Sequence, residues 1–394
     1  MLYNAKEIKE CLACGGHNLT KFCDLGHQPL ANNLKDSVDQ DEMLYPLSVN
    51  VCKECFHSQL TVAVDKELLY KHYLYVSGTS QTLVDEFNAV AEFIYNETSS
   101  GHKRILDIAC NDGTFLKAFR KYGWSLNGID PASNIVKSII EKDLNVVSDF
   151  FPSNKIEGKF DVITCFNVVA HIPNPLEFLK SCKEHLAEGG TLYIQTSQKN
   201  MIRNGEFDTI YHEHHSFFNI NSMDKLTQRA GLSLVDVSSR PVHGESYLFK
   251  IKLGAANVKE EILKKEEYLL DVNTYYEFDK KVESNKQRLL NIVSKSDNKV
   301  VGYGAAAKGV VMTNYFNIRH SYIVDENPLK IGKIIGGVDI PIVSPDFLSS
   351  ETDPLTIIVY AWNFYDEIKS KIEKIRPNQK DIIVRSFCPN NEGF

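Results

Sequence analysis

Two Cys-x-x-Cys hooks, Cys11/Cys14 and Cys52/Cys55, restrict this chain more than any other feature of its sequence. Each hook places two thiolates one turn apart, as adjacent corners of a tetrahedron, so a shared zinc ion would pull the segment into one closed module. Four thiolates fill the coordination sphere and leave no position for a reacting water, which makes the expected metal structural. The stretch between the hooks, 15–51, is longer than a usual ribbon loop, and residues 24–50 are expected to form an excursion between the two knuckles. Cys23, His17 and His57 lie nearby and are read as non-ligands. The alternative is a set of unmetallated thiols. Cys110, Cys165, Cys182 and Cys388 are scattered over the rest of the chain, so the clustering near the start suits metal ligation in a reducing compartment better than a disulfide framework.

Other classes are disfavoured by what the chain lacks. Its first residues, MLYNAKEIKECLAC, contain no apolar run of the secretory kind, and no later window approaches the roughly 20 apolar residues of a membrane span. A cytoplasmic protein without a membrane partner is expected. The formal charge of −7 argues against a sequence-independent grip on nucleic acid, although a few local donors suffice for a small anion.

The next block changes character. Within residues 82–97, Leu83, Phe87, Val90, Ala91 and Ile94 share one helical face. RILDIACNDGTFLKAFRKYG then reads as a buried parallel strand over 105–109, a turn over 109–113 and a helix from near Thr114. This is a nucleotide-binding βα turn. Asp130 ends the following strand about 20 residues on, where an acid can accept hydrogen bonds from both ribose hydroxyls. The turn lacks the GxGxxG that seats a pyrophosphate, so a cofactor without a diphosphate fits better. The candidate cofactor residues are Asp107, Ala109, Asn111, Gly113, Asp130, Asp149 and Asn167.

FDVITCFNVVAHI reads as another strand, NPLEFLKSCKEHLAEGG as a helix ended by a glycine pair, and TLYIQTSQ as a third strand. The alternation implies a doubly wound sheet with ligands over the carboxyl ends of its strands. His171 is then expected to look into the crevice, and DTIYHEHHSF, residues 208–217, to lie over it. Three imidazoles around a carboxylate are unusual for a surface loop, because histidine changes charge near neutral pH. In a regular strand Tyr211 and Glu213 would face one side and His214 the other, so their convergence requires a loop or kink. A second metal site built on His212 and His214 with Glu213 and His215, and a solvated loop, are the other readings; His171 could simply cap or pack at a strand end.

The ordered set of both Cys-x-x-Cys pairs, LGHQPLANNL, LYVSGTS, DIACNDG, AHIP, YHEHHSFF, PVHGES and VGYGAAAKG resembles the nucleotide-sugar C-methyltransferase family over nearly the whole chain. The resemblance implies S-adenosylmethionine as cofactor and, as substrate, a nucleotide-linked 4-keto-deoxysugar methylated next to the keto group, typically at carbon 3. It also implies a small zinc-binding N-terminal domain, a central class I methyltransferase domain with a doubly wound sheet, and a C-terminal Rossmann-like α/β domain. These are expected over 1–68, 69–250 and 251–394, in a chain acting as a monomer. The family's Tyr-x-Glu-His motif falls on Tyr211, Glu213 and His214, which implies His214 as the base. His171 stands at the family's HIP histidine. Tyr75, with Tyr73 as competitor, stands at the tyrosine before the SG turn. Ala109 replaces a usual glycine, and HGES at 243–246 replaces a more glycine-rich stretch.

An enolate next to a ketone needs more than a base. Tyr211, His171 and Tyr75 are the candidate donors to the developing oxyanion, and Glu213 could orient an imidazole. Two other functions remain open at this level: an O- or N-methyltransferase on a sugar or other small metabolite, and a non-catalytic zinc-ribbon protein that binds S-adenosylmethionine. Beyond residue 250 a charged amphipathic helix or helix pair is expected. KVVGYGAAAKGVVMTNYF, YIVDENP, TIIVYAWN and DIIVRSF follow as a second α/β unit. Its Gly302-x-Gly304 turn with Lys308 could hold a phosphate or serve packing alone.

Overall fold

A computed structural model describes residues 4–70, 78, 81–139, 142–242, 245–254, 256, 258–377 and 379–388. The seven strands of the central sheet are Arg104–Ile108 (β1), Ser125–Asp130 (β2), Leu144–Ser148 (β3), Phe160–Phe166 (β4), Leu186–Thr196 (β5), Leu232–Arg240 (β6) and Ser246–Leu253 (β7). Their spatial order is β3-β2-β1-β4-β5-β7-β6, parallel except for the antiparallel β7. The order reverses between β1 and β4, so a crevice opens at their carboxyl ends. Helix Gln81–Glu97 (α1) buries the five apolar residues of the predicted face against one side of this sheet. Pro175–His185 (α2) and Ile220–Ala230 (α3) cover the other side.

The N-terminal module has a sheet of its own, and one of its strands comes from far downstream. Leu19–Gln28, Tyr45–Cys52 and Ser58–Leu60 form an antiparallel meander, and Ser216–Phe217 adds to its edge beside Ser58–Leu60. The expected excursion over 24–50 is thus strand at its two ends, 24–28 and 45–50. Its connection, 29–44, leaves the sheet and docks on the C-terminal unit. There Lys35 and Ile334 exchange main-chain hydrogen bonds of 2.9 Å, and the buried Lys35 ammonium reaches Asp339 Oδ1 at 2.8 Å.

Two further expectations change at their edges. The helix over the PLEFLKSCKEH stretch stops at His185, and the glycine pair 189–190 falls inside β5, where pairing with β4 shifts register between Leu186 and Thr191. The charged segment after 250 is broken as well. Glu266 leaves helical geometry (φ −128°) because its carboxylate turns inward to accept from Ile220 N–H at 2.6 Å and from the Tyr247 hydroxyl. Asp271 then caps a fresh helix, Val272–Ser294 (α4), by accepting from Asn273 N–H.

The C-terminal sheet runs Ile334–Ile335, Ile340–Val343, Ile323–Val324, Lys299–Tyr303, Leu355–Val359, Ile382–Arg385, with helix Ala307–Phe316 (α5) after its Gly-rich turn. All four strand candidates of this unit form, and Ile334–Ile335 and Ile340–Val343 join them. One apolar core runs from Leu47 and Val49 of the N-terminal sheet through Phe207 and Tyr275 to Phe316 and Ile358. Among the described residues no helix is long and apolar enough to cross a membrane.

Candidate functional site

The two cysteine hooks meet. Cys11, Cys14, Cys52 and Cys55 place their sulfur atoms within 4.8 Å of one another, with Cys11–Cys55 at 3.5 Å and Cys14–Cys52 at 3.6 Å. Zinc–sulfur bonds of about 2.3 Å at tetrahedral corners separate the sulfurs by roughly 3.8 Å, so this donor set fits the ion. Backbone N–H groups of Gly16 and Glu54, each at 3.4 Å, point at Cys14 and Cys52 and favour thiolates. His17 turns to the Lys9 carbonyl and His57 to the Ser216 hydroxyl, so neither joins the cluster. Among the described residues, this is the group that gathers three or more His, Cys, Asp or Glu ligand atoms within such a distance. The three imidazoles of the His-rich segment do not converge on a metal.

The predicted cofactor turn lies at the crevice. Ala109 (φ 57°), Asn111 (φ 53°) and Gly113 (φ 73°) all adopt left-handed backbone, which gives a physical reason for glycine at a position such as 109. Asp130 fixes this turn: its two oxygens accept from Asn111 N–H at 2.9 Å and from Ala132 N–H at 2.8 Å. Each carboxylate oxygen keeps a second lone pair for a ribose hydroxyl. Asp107 accepts from the Thr164 hydroxyl at 2.6 Å, and burial, with the nearby Asp130, pushes its carboxyl up to about 7. Asn167 (φ 56°) follows β4 with its Oδ1 buried and unpartnered; Gln195 Nε2, Thr196 Oγ1 and Gln198 Oε1 around the end of β5 are also unpartnered. Such a rim of buried polar atoms suits a polar ligand. Asp149 differs: its carboxylate is occupied by Phe150 N–H, Ser153 and Lys155 of its own loop. Any contact it makes with a cofactor competes with those bonds.

In the His-rich segment the required kink is a turn. His214 N–H bonds the Tyr211 carbonyl at 2.9 Å, folding the two side chains onto one another. The Tyr211 hydroxyl lies 2.8 Å from His214 Nε2, and His214 Nδ1 lies 2.7 Å from the Thr209 carbonyl. A carbonyl only accepts, so Nδ1 carries the proton and Nε2 presents its lone pair to the phenol. Burial, then the neighbouring His171 imidazole, holds His214 well below the usual histidine range, neutral and able to act as a base. His171 stacks edge-on at 4.7 Å and donates a ring N–H to the Glu213 main-chain carbonyl; burial lowers it to about 4.

Glu213 does not orient an imidazole through its carboxylate. Its Oε1 accepts from Asn32 Nδ2 at 2.6 Å, and burial raises it to about 7. Asn32 belongs to the LANNL stretch of the 29–44 connection, a contact that sequence reading missed because the partners are far apart in the chain. His212 faces the Tyr45 carbonyl, and His215 is wholly buried; burial lowers both to about 4. Tyr75 and Tyr73 lie outside the described residues.

Lys308, a candidate phosphate ligand, instead lies 3.6 Å from the Asp208 carboxylate. The Gly-rich turn before it is closed from within, Gly304 N–H bonding the Val324 carbonyl and Ala305 N–H the Asp325 carboxylate. That hook repeats the Asp130–Asn111 bond of the central sheet.

Three family profiles match the chain in order. They are described as a zinc binding domain over residues 11–70, a methyltransferase domain over 81–237 and a C-methyltransferase C-terminal domain over 247–385. The chain is 28% identical over 402 residues to C-methyltransferase NovU of Streptomyces niveus, with 96% of each chain covered. It is 24% identical over 170 residues to a ubiquinone biosynthesis O-methyltransferase of Coxiella burnetii, covering 39% of this chain and 73% of that enzyme. Among solved structures, magnesium protoporphyrin IX methyltransferase from Synechocystis PCC 6803 matches with a TM-score of 0.37 at 11% identity, over 43% of this chain and 83% of that one.

Proposed function

Because the chain belongs to the C-methyltransferase family and is an S-adenosylmethionine-dependent methyltransferase, we propose that it methylates carbon 3 of a nucleotide-linked 4-keto-deoxysugar. The observation that carries this reading is the Tyr211–His214 pair, in which a neutral imidazole with Nδ1–H committed to Thr209 holds Nε2 against a phenol at 2.8 Å. Transfer to oxygen or nitrogen needs no enolate. A buried base paired with a hydroxyl donor is what removal of a proton next to a ketone requires.

In this reading His214 Nε2 takes the proton from the sugar carbon, and the electron pair of the broken C–H bond passes into the enolate. A ketone C–H is far less acidic than an imidazolium, so the base alone is insufficient. Tyr211 therefore turns its O–H from His214 to the keto oxygen, where negative charge develops. His171 and the buried surroundings keep His214 unprotonated until that transfer. When bound, S-adenosylmethionine supplies an electrophilic methyl group. Asn111, Gly113 and Asp130 would hold it at the carboxyl ends of β1 and β2, with Asp107 and Asn167 lining the floor. The zinc would be held by Cys11, Cys14, Cys52 and Cys55 and would touch no reactant.

The test is solvent deuterium wash-in at the sugar carbon, run without methyl donor, followed by labelled S-adenosylmethionine with a panel of nucleotide 4-keto sugars. Exchange at one carbon and label at the same carbon are expected. Methyl transfer to oxygen or nitrogen without exchange would sink the proposal.

A further inference from the structure

Asp208 is fully buried, two residues beyond the buried Glu206, and its carboxylate is met from the C-terminal unit. Trp362 Nε1–H donates to Oδ2 at 2.8 Å, and Lys308 Nζ stands 3.6 Å from the same oxygen. The preceding side chain is held by the same unit: Phe207 packs against the rings of Tyr315, Phe316 and Phe387 at 5.4, 5.5 and 6.4 Å. Phe207–Thr209 is a single 3-10 turn closed by Ile210 N–H on the Phe207 carbonyl at 2.9 Å. Its last residue carries the carbonyl that receives His214 Nδ1–H.

We propose that Lys308 and Trp362 are positioning residues which, by holding the Asp208 carboxylate, aim the Thr209 carbonyl and so select the Nδ1–H tautomer of His214. The inference rests on His214 being the base. Which ring nitrogen of an imidazole carries the proton is set by the hydrogen bonds its nitrogens make, and at His214 Nδ1 the Thr209 carbonyl, at 2.7 Å and nearer than the Gln198 amide at 3.5 Å, is the selecting group. Phe207 fixes where the turn sits but, as an apolar anchor, not how its peptide planes are rotated. The Thr209 carbonyl shares its peptide plane with the Ile210 N–H that closes the turn on Phe207, and Asp208, in the middle of that turn, is the residue whose side chain anchors it to the C-terminal unit. With the clamp removed, Thr209 could turn away, and Nε2–H with the Tyr211 oxygen as acceptor would become an equal alternative. A base whose lone pair points at Thr209 cannot reach the sugar. The C-terminal unit would thus control the reactive nitrogen without touching a reactant.

The experiment uses full-length protein labelled with 15N on histidine, with the His214 ring signals identified by their loss in His214→Ala. Wild type should show a protonated Nδ1 and an unprotonated Nε2. Lys308→Met and Trp362→Phe should move both ring shifts toward the average of two tautomers and lower deuterium wash-in by about 100-fold, while Lys308→Arg stays near wild type. Because Trp362→Phe could unfold the packing around Phe387, Lys308→Met, at a partly exposed side chain, decides if the former does not fold. Unchanged His214 ring shifts in Lys308→Met overturn the clamp even if activity falls. Wild-type wash-in by His214→Ala would instead remove the base assignment, and the ring shifts would still decide the clamp.

Discussion

At the scale of single residues, the proposed chemistry depends on two side chains three positions apart. His214→Ala should leave cofactor affinity near wild type and lower exchange and methyl transfer together, by about 100- to 10,000-fold, because both pass through one enolate. Tyr211→Phe should lower both steps by removing the donor to the oxyanion. Rates for both variants on the proposed keto sugar check this, and methyl transfer falling while exchange persists would separate the residue from the enolate. The pH profile supplies an independent check. His214 lies well below the ordinary histidine range, next to His171, Lys308 and His215, so it stays neutral as pH falls through 6.5. Glu213, raised to about 7 by burial, gains its proton in that interval. An inflection in the exchange rate near 7 is therefore expected to vanish in Glu213→Gln. One that survives at about 6.5 would mean that the imidazole titrates as if exposed. Tyr211, Glu213 and His214 could be named as candidates from the sequence; their geometry could not. A strand period sets Tyr211 and His214 on opposite faces, and only the Tyr211–His214 turn brings them together. The partners Asn32 and Trp362 were invisible, since no local pattern links residues brought together by packing of separate units.

At the scale of elements, the zinc module and the His-rich segment share a sheet. Ser216–Phe217 pairs with Ser58–Leu60, and Leu60 N–H bonds the His215 carbonyl at 3.0 Å. The knuckles are also tied to α3, where Arg229 donates to the Ala13 carbonyl at 2.7 Å and Asn221 to the Cys55 carbonyl at 2.9 Å. Removing zinc with a strong chelator, or Cys52→Ser, should therefore loosen residues 211–217 although the metal touches no reactant. Exchange should fall and return with added zinc, while cofactor affinity, proposed to rest on β1 and β2, should hold. Full exchange in metal-free protein would refute this coupling. The cofactor turn is a second element with its own test. Asp130→Ala removes the proposed ribose acceptor and the acceptors for two backbone N–H groups, and calorimetry should show S-adenosylmethionine binding weakened by roughly 1.5–3 kcal/mol. The alternation of strands and helices was readable because buried parallel strands form apolar runs. Element ends were read less well: Gly189 and Gly190 look like a helix stop but sit in a strand irregularity, and Glu266 breaks the charged helix through bonds to Ile220 and Tyr247 that no periodicity reveals.

At the scale of the whole molecule, the 29–44 connection joins three parts that the sequence presents as separate. It starts and ends in the N-terminal sheet, exchanges main-chain bonds with Ile334, and places Asn32 on Glu213. The long gap between the cysteine hooks signalled an insertion, but a gap length carries no information about where the inserted chain docks. The consequence can be measured at Glu213. The Asn32 amide favours the ionised carboxylate and opposes the upward push of burial. Asn32→Ala removes that opposition, so the carboxyl should rise further above 7 and the inflection in the exchange profile should move to higher pH. Weakening the dock from a distance should act in the same direction. Asp339→Ala leaves the buried Lys35 ammonium its hydrogen bond to the Val38 carbonyl and the charges of Glu42 and Asp39 but removes its ion pair, and a loosened connection lets Asn32 drift from Glu213. Asp339 is half-exposed and its pairing is screened by solvent, so the expected loss of stability is small, about 1 kcal/mol in urea unfolding, and the shift smaller than that of Asn32→Ala. An inflection that stays in place in Asn32→Ala would mean that the amide does not hold Glu213 in solution. A shift in Asn32→Ala with none in Asp339→Ala would keep the amide's role and place its support elsewhere in the connection.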